Sequence, residues 1–393
     1  MVNIMDFDEL NINRRLKEKI REFRFSKLTP IQEKCIPEII IGRDVVGQAE
    51  TGSGKTLAFV IPILDKIQRQ KGLQVLVLTP TRELCSQVAD VFNDFGRTLG
   101  IRVTSIYGGV NIEPQIKNIP NSHVIVATPG RLLDHTERKT IEFSKMEFLV
   151  LDETDKMLEM GFIDDVERII KEVPKNRQTL MFSATVPEEV YKIARRHLNE
   201  PKIFRTKPLV DTKQLNQKYY DIFQKNDKFS LLLHLLKNST SGLAIVFCAT
   251  RQETDIVARN LRRSGINACP IHGGMNQNKR MKSINKLKKQ KTDVLVATDV
   301  AARGLDIKNV SHVYNYDVPK TSKDYIHRVG RTARAGKNGD AVTLLTERDH
   351  ENFRRVQSNE ELEIEKARFP KFKKVPFFRK HNKKNIRINK ERP

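Results

Sequence analysis

The chain has no tryptophan, only four cysteines and no apolar run that approaches the length of a bilayer. Each absence removes a class of protein. Cys35, Cys85, Cys248 and Cys269 form no CxxC pair and no paired metal-ligand spacing. Free thiols in a reducing compartment, the cytoplasm, are therefore expected. A membrane-spanning helix needs about 20 consecutive apolar residues, so no membrane partner is expected. The stretch Met1-Val2-Asn3-Ile4-Met5-Asp6-Phe7-Asp8-Glu9 lacks the basic and apolar regions of an export signal. Acidic residues are also short. Forty-eight Asp and Glu face 71 Lys and Arg, a net charge of +23. The shortage is greatest over residues 366–393, where twelve Lys or Arg stand against Glu391 alone. A polyanionic partner is expected.

What is present is a rhythm. Short β-rich runs (Val45–Gly47, Gln74–Leu78, Val103–Tyr107, His123–Ala127, Phe148–Leu151, Thr179–Phe182) alternate with helical patterns such as Ile31–Ile40, Arg82–Leu99 and Phe162–Val173. The rhythm lapses in a polar, proline-containing stretch near Arg205–Gln217. It resumes with Lys218–Ile222, Ala244–Cys248, Ala268–Ile271, Val294–Ala297, His312–Tyr316 and Ala341–Leu345, with helical patterns over Gln252–Ser264 and Asn278–Lys289. Alternation of this kind predicts parallel sheets covered by helices. At 393 residues there is room for two such domains. We expect an N-terminal domain over 1–205, a linker over 206–217, a second α/β domain over 218–365 and a basic, flexible tail over 366–393.

Two stretches carry chemistry. In Val45-Val46-Gly47-Gln48-Ala49-Glu50-Thr51-Gly52-Ser53-Gly54-Lys55-Thr56, a strand turns into a helix through a Gly-rich loop. Gly52 and Gly54 let backbone N–H groups point inward at an anion, and the helix adds its positive end. Lys55 can reach the β- and γ-phosphates of a nucleotide, and the Thr56 hydroxyl can coordinate Mg²⁺. In Phe148-Leu149-Val150-Leu151-Asp152-Glu153-Thr154-Asp155 an apolar strand ends in carboxylates. Ligands of such sheets bind at the carboxyl ends of strands. Asp152 is placed to hold Mg²⁺, partly through water, and Glu153 to orient and deprotonate an attacking water.

The ordered set of motifs resembles the DEAD-box ATP-dependent RNA helicases from about Phe7 to Thr346. It comprises Phe25-Ser26-Lys27-Leu28-Thr29-Pro30-Ile31-Gln32, Ala49–Thr56, Pro80-Thr81-Arg82-Glu83-Leu84, Gly108-Gly109, Thr128-Pro129-Gly130-Arg131, Asp152–Asp155 and Ser183-Ala184-Thr185. In the second half it continues with Val246–Arg251, His272-Gly273-Gly274-Met275-x-Gln277, Thr298–Asp306 and His327-Arg328-Val329-Gly330-Arg331-Thr332-Ala333-Arg334. The resemblance implies two tandem RecA-like domains and an ATP hydrolase that clamps RNA, separates short duplexes locally and remodels ribonucleoproteins. ATP with Mg²⁺ would be held by Phe25, Lys27, Gln32, Thr51, Gly52, Ser53, Gly54, Lys55, Thr56, Gly304 and Asp306. A Gln amide can donate to N7 and accept from the N6 amino group of adenine. Phe7 matches a further aromatic of that region. Lys55, Asp152, Glu153 and the arginine fingers Arg331 and Arg334 would carry the reaction. Thr81, Arg82, Gly109, Thr128 and Arg131, with Thr250, Arg251, Gly273 and Thr298, match positions that take RNA through phosphate and sugar. Ser183, Thr185, Arg303, His327 and Arg328 match positions that couple the two sites. The chain departs from the family pattern at Thr154 (usually Ala), Arg24 (usually Gly) and Leu28 (usually Pro).

Overall fold

The computed structural model describes residues 5–379 except 51, 207–214, 225, 226, 241, 290, 303–306, 308, 309, 333–338, 360 and 361. The chain divides into two compact units. The first holds a sheet of seven strands: β1 (Val45–Gln48), β2 (Val75–Leu78), β3 (Val103–Ile106), β4 (Val124–Ala127), β5 (Phe148–Asp152), β6 (Gln178–Ser183) and β7 (Lys202–Arg205). Their order is β3-β4-β2-β5-β6-β1-β7, and every pairing is parallel.

The apolar runs are continuous because helices cover both faces. Alternate residues then serve two separate cores. Val45, Val75, Val77, Val124, Val126 and Val150 pack with the helices Pro30–Ile40, Lys55–Lys66 and Arg82–Gly96. Val46, Leu76, Leu78, Ile125, Leu149 and Leu151 pack with the helices Pro129–Glu137, Ile163–Glu172 and Glu188–His197.

The second unit repeats the winding with no repeat in its sequence. Its strands are β8 (Leu215–Asp221), β9 (Leu243–Phe247), β10 (Ala268–Ile271), β11 (Val294–Ala297), β12 (Val310–Asn315), β13 (Gly339–Leu345) and β14 (Glu365–Lys366). They lie in the order β10-β11-β9-β12-β13-β8-β14, again all parallel. Numbered from the first strand of each unit, both sheets run 3-4-2-5-6-1-7. No described helix is long and apolar enough to cross a membrane.

Two expectations need correction. The stretch expected as a linker over 206–217 ends in regular structure, since Leu215, Asn216 and Gln217 are the first residues of β8 and pair with Gly339, Asp340 and Ala341. The tail expected to be mobile from residue 366 is instead ordered over 366–379. Lys366 belongs to β14, opposite Tyr219 of β8. Beyond it, Phe369 meets Tyr220 edge-on at 5.6 Å and Phe377 lies 4.9 Å from Phe229. Phe372, Val375 and Phe377 are half-buried against the core formed by the helices Asp227–Asn238 and Arg251–Arg263. The backbone is held too. The Val375 N–H donates to Ser230 Oγ (3.0 Å), and the Phe378 N–H donates to Asn260 Oδ1 (3.0 Å). The Asn260 amide donates back to the Phe378 carbonyl (3.1 Å). Asn260 is a buried polar group in a helix interior, so this exchange satisfies atoms whose isolation would be costly. Residues 380–393 of the expected tail lie outside the described residues.

Arg24 shows why its position favours glycine. It follows the helix Arg14–Glu22 with φ of 58°, in the left-handed region.

Two predictions test these points. Phe377→Ala should destabilise the second unit by about 1–2 kcal/mol, somewhat less than for a fully buried ring, while exposed Lys373→Ala stays within about 0.5 kcal/mol of wild type. Urea unfolding of both variants checks this, and equal midpoints would mean the segment is not held. Arg24→Gly should stabilise the first unit by about 0.5–1 kcal/mol through relief of the left-handed backbone, read as a higher melting temperature.

Candidate functional site

The site in the first unit is built from the ends of β1, β5 and β6, which are neighbours or next-neighbours in the sheet. After β1 the loop turns through Gly52 (φ 90°) and Gly54 (φ 91°) into the helix Lys55–Lys66. Gly54 has no room for a side chain, because a Cβ there would sit 2.5 Å from Gln32 Nε2. The Gln32 amide donates to the Gly54 carbonyl (3.0 Å) and accepts from the Thr29 N–H (2.9 Å). Gln32, expected as the adenine reader, therefore also pins the phosphate loop to the helix Pro30–Ile40. Ser53 is buried, and its hydroxyl has no protein partner. Thr56 is half-buried at the helix start. The Lys55 ammonium is 7 % exposed and donates to the carbonyls of Ala49 (2.6 Å) and Glu50 (2.8 Å). Phe25 is 39 % exposed, and its ring is parallel to that of Phe23. Lys27 is exposed beside it, whereas Phe7 is buried in the core and offers no free face.

Asp152 closes β5, and Glu153 follows with φ 51° and ψ 50°. Left-handed backbone at a non-glycine residue costs about 1–3 kcal/mol and is sustained by its surroundings. It starts the short helix Thr154–Glu159 and leaves the Glu153 carboxylate buried, with Oε2 lacking a protein partner. Burial, reinforced by the charge of Glu153, raises Asp152 to about 7, although Lys55 pulls the other way. Burial also lowers Lys55, opposed by Asp152 and Glu153. Two buried cations, Lys55 and Lys156, thus face three buried carboxylates, Asp152, Glu153 and Asp155. A divalent cation fits such a site. Among the described residues no cluster of three His, Cys, Asp or Glu could hold a metal by protein ligands alone.

Asp155 connects this strand end to β6. Burial raises its pKa, but the bonds from Ser183 and Thr185 and the charge of Lys156 outweigh that, and the carboxyl sits below its usual range. Its Oδ2 accepts from the Thr185 N–H and hydroxyl, both at 2.9 Å, and its own N–H donates to Ser183 Oγ (3.1 Å). The Thr154 hydroxyl points elsewhere and donates to the Leu151 carbonyl (3.2 Å).

A second set of groups recurs in both units at equivalent strand ends. Thr81 follows β2 and caps the helix Arg82–Gly96 by accepting from the Leu84 N–H (3.2 Å). Arg82 lies over the turn after β3, where a Cβ on Gly109 would fall 2.0 Å from its guanidinium. Thr128 follows β4, and Arg131 donates to the Val110 carbonyl (3.2 Å). In the second unit Thr250 follows β9 and caps its helix by accepting from the Glu253 N–H (3.1 Å). Arg251 lies over Gly273 and Gly274 after β10, and Thr298 follows β11. Each unit thus presents Thr-Arg, Gly-Gly and Thr at the ends of its second, third and fourth strands.

In the second unit Arg328 is a buried hub. It pairs bidentately with Asp299 (2.5 and 2.8 Å), donates to Asn315 Oδ1 and the Asp317 carbonyl, and lies over the Phe247 ring. His327 and Arg331 line a pocket with Asp299 and Asp324, and Arg331 is 4 % exposed. Thr51, Arg303, Gly304, Asp306 and Arg334 lie outside the described residues. Sequence reasoning missed Gln115, which holds Arg131, His135 and the Tyr107 carbonyl together. It also missed Lys228, buried between Asp317 (3.5 Å) and Asp349 (3.1 Å). Neither stands in a recognisable motif.

The electrostatics of Asp152 can be checked. A carboxyl whose folded pKa is raised from 3.8 to about 7 costs stability that grows as pH rises between those values and is constant above. Asp152→Asn should therefore raise the melting temperature of the nucleotide-free protein at pH 8, with the gain shrinking toward pH 5. A gain independent of pH would show that Asp152 does not titrate there.

The DEAD/DEAH box helicase family model matches residues 29–193, and the helicase conserved C-terminal domain model matches residues 227–336. The ATP-dependent RNA helicase CshA of Listeria monocytogenes is 43% identical over 93% of this chain and 70% of its own. The DEAD-box ATP-dependent RNA helicase CshA of Geobacillus kaustophilus is 43% identical over 93% of this chain and 78% of its own. Among solved structures, S. cerevisiae Dbp5 bound to RNA and ADP BeF3 superposes with a TM-score of 0.82 at 30% identity, covering 92% of this chain and 95% of that one. Two sheets of one winding, a phosphate loop facing buried carboxylates and these similarities agree: the chain belongs to the DEAD-box family of ATP-dependent RNA helicases.

Proposed function

We propose that residues 1–205 hold ATP with Mg²⁺ and residues 218–365 complete the reaction, so that hydrolysis drives RNA clamping, local duplex separation and ribonucleoprotein remodelling. The observation that carries this reading is Glu153, whose buried carboxylate keeps one oxygen without a protein partner beside Lys55 and Asp152. Lys55 would leave the Ala49 and Glu50 carbonyls for the phosphates. Thr56 and Asp152 would hold Mg²⁺, which neutralises charge on the phosphates. Glu153 orients the attacking water and takes its proton. Phe25, Lys27 and Gln32 would receive the base, the Gln32 amide exchanging the Gly54 carbonyl for adenine. Thr51, Gly304 and Asp306 complete nucleotide binding in this reading, with Arg331 and Arg334 as arginine fingers.

RNA runs over the strand ends through phosphate and sugar, at Thr81, Arg82, Gly109, Thr128 and Arg131 in one unit and Thr250, Arg251, Gly273 and Thr298 in the other. Asp155 with Ser183 and Thr185, and Arg303, His327 and Arg328, would relay between the two sites. The Asp-Glu-Thr-Asp sequence serves as the acidic motif. The Thr154 hydroxyl is engaged by Leu151, which supports an undisturbed link from Asp155 to Thr185. The four described cysteines are free and buried, in keeping with a cytoplasmic setting.

The test is RNA-stimulated ATP hydrolysis by Glu153→Gln. The amide keeps the shape and removes the base, so turnover should fall roughly 10²- to 10⁴-fold while ATP and RNA affinities stay close to wild type. Loss of ATP binding equal to the loss of turnover would sink the assignment.

A further inference from the structure

The positive charge is concentrated. Residues 256–292 contain ten Lys or Arg and no acid. Together with residues 366–393 they carry +21 of the net +23, so the rest of the chain is almost neutral. Within the first of these stretches three of the four arginines are engaged by their own unit. Arg262 donates to the Ala268 carbonyl (3.0 Å), Arg263 lies over the Phe378 ring and Arg280 donates to the Ala301 carbonyl (3.4 Å).

The lysines are different. Lys279, Lys282 and Lys286 lie on the helix Gln277–Lys288, and Lys289 is its C-cap. All four are exposed, while Ser283 and Ile284 turn inward and are buried. Spacings of three, four and three residues place the lysines on one face, a stripe about 15 Å long at 1.5 Å per residue. Among the described residues no carboxylate lies within ion-pair distance of any of them. Like charges in such a row repel one another by a few tenths of a kcal/mol per pair, so the helix tolerates them at a cost that a polyanion would remove.

The position of the stripe names the polyanion. The helix begins directly after Gly273 and Gly274, and its N-cap Asn276 accepts from the Lys279 N–H (2.9 Å). β10, which leads into it, is the edge strand of its sheet. The stripe therefore starts beside the strand-end groups Thr250, Arg251, Gly273 and Thr298 and, on the crossover helix between the parallel strands β10 and β11, runs back along the edge of the sheet away from them. We propose that Lys279, Lys282, Lys286 and Lys289 form an accessory site for the phosphates of RNA that flanks the strand bound at those strand ends. This rests on the reading of those strand ends as the RNA site. Lysines without planar donors facing bases give charge neutralisation without sequence readout.

The experiment compares a short single-stranded RNA that spans only the strand ends with the same RNA extended on both sides. Affinities are measured at several salt concentrations for wild type, for the fourfold Lys→Gln variant and for the fourfold Lys→Arg variant at these positions. Wild type should bind the extended RNA more tightly and with the steeper salt dependence. The Gln variant should lose about 2–3 of that salt slope, at about 0.7 per phosphate contact, and keep wild-type affinity for the short RNA. The Arg variant should behave as wild type. An unchanged slope on extended RNA in the Gln variant would overturn the proposal. So would an equal loss on both RNAs, which would place the lysines within the strand-end site or show a damaged fold. Failure of wild type itself to bind the short RNA would refute the strand-end reading, a result distinct from either.

Discussion

Every strand in both sheets runs the same way, and the rest follows from that constraint. Parallel neighbours cannot be joined by a tight turn, so each strand must be followed by a crossover, usually a helix. All strand carboxyl ends then fall on one side of a sheet, and that is where the loops able to carry chemistry are found. The phosphate loop, the Asp152–Asp155 turn, the Ser183–Thr185 segment and the Thr-Arg and Gly-Gly groups are all residues at such ends. The same constraint buries the interior strands on both faces, which gives a rigid floor beneath the site. Lys55 and Asp152 stand on that floor, and their perturbed titration comes from being held there, dry and close, by elements that cannot move apart cheaply.

Much of this was legible in the sequence for a physical reason. A strand covered on both faces must be apolar throughout, so runs such as Val75–Leu78 and Val124–Ala127 announce themselves. The two strands that went unrecognised, β7 and β14, are edge strands of four and two residues with mostly exposed side chains, too short to show a strand period. The site residues with distinctive chemistry, glycines in a phosphate loop and carboxylates after an apolar strand, were legible because few other contexts need those types in that order. Gln115 and Lys228 were not. Each is a common polar residue whose importance lies in a partner distant in the chain, as with Lys228 and Asp349. The Phe residues after 366 misled for a related reason. They follow neither a helical nor a strand period, because they dock one by one onto a surface that other parts of the chain create.

The two units share a winding yet differ in their use of it. Where the first unit places its phosphate loop after β1, the equivalent strand of the second, β8, is followed by Ile222 and Phe223 and no glycine. The strand-end groups Thr-Arg and Gly-Gly, by contrast, are present twice. The Gly-rich loop is thus found in one half, whereas the strand-end groups are duplicated.

The ordered segment over 366–379 bears on the sequence of events during synthesis. β8 is the first strand of its unit to be made, yet its sheet neighbours are β13 and β14, the last two. The helices Asp227–Asn238 and Arg251–Arg263 receive Phe372, Val375 and Phe377 later still. The first unit has all seven of its strands once Arg205 has been made, while the second must keep an apolar face uncovered until translation reaches residue 377. Domains emerging from the ribosome fold in order, and long-lived exposure of apolar surface invites misassembly. The second half of the chain is therefore the part most dependent on protection while nascent, and a message cut short before codon 377 would yield a finished first unit joined to an unfinished second.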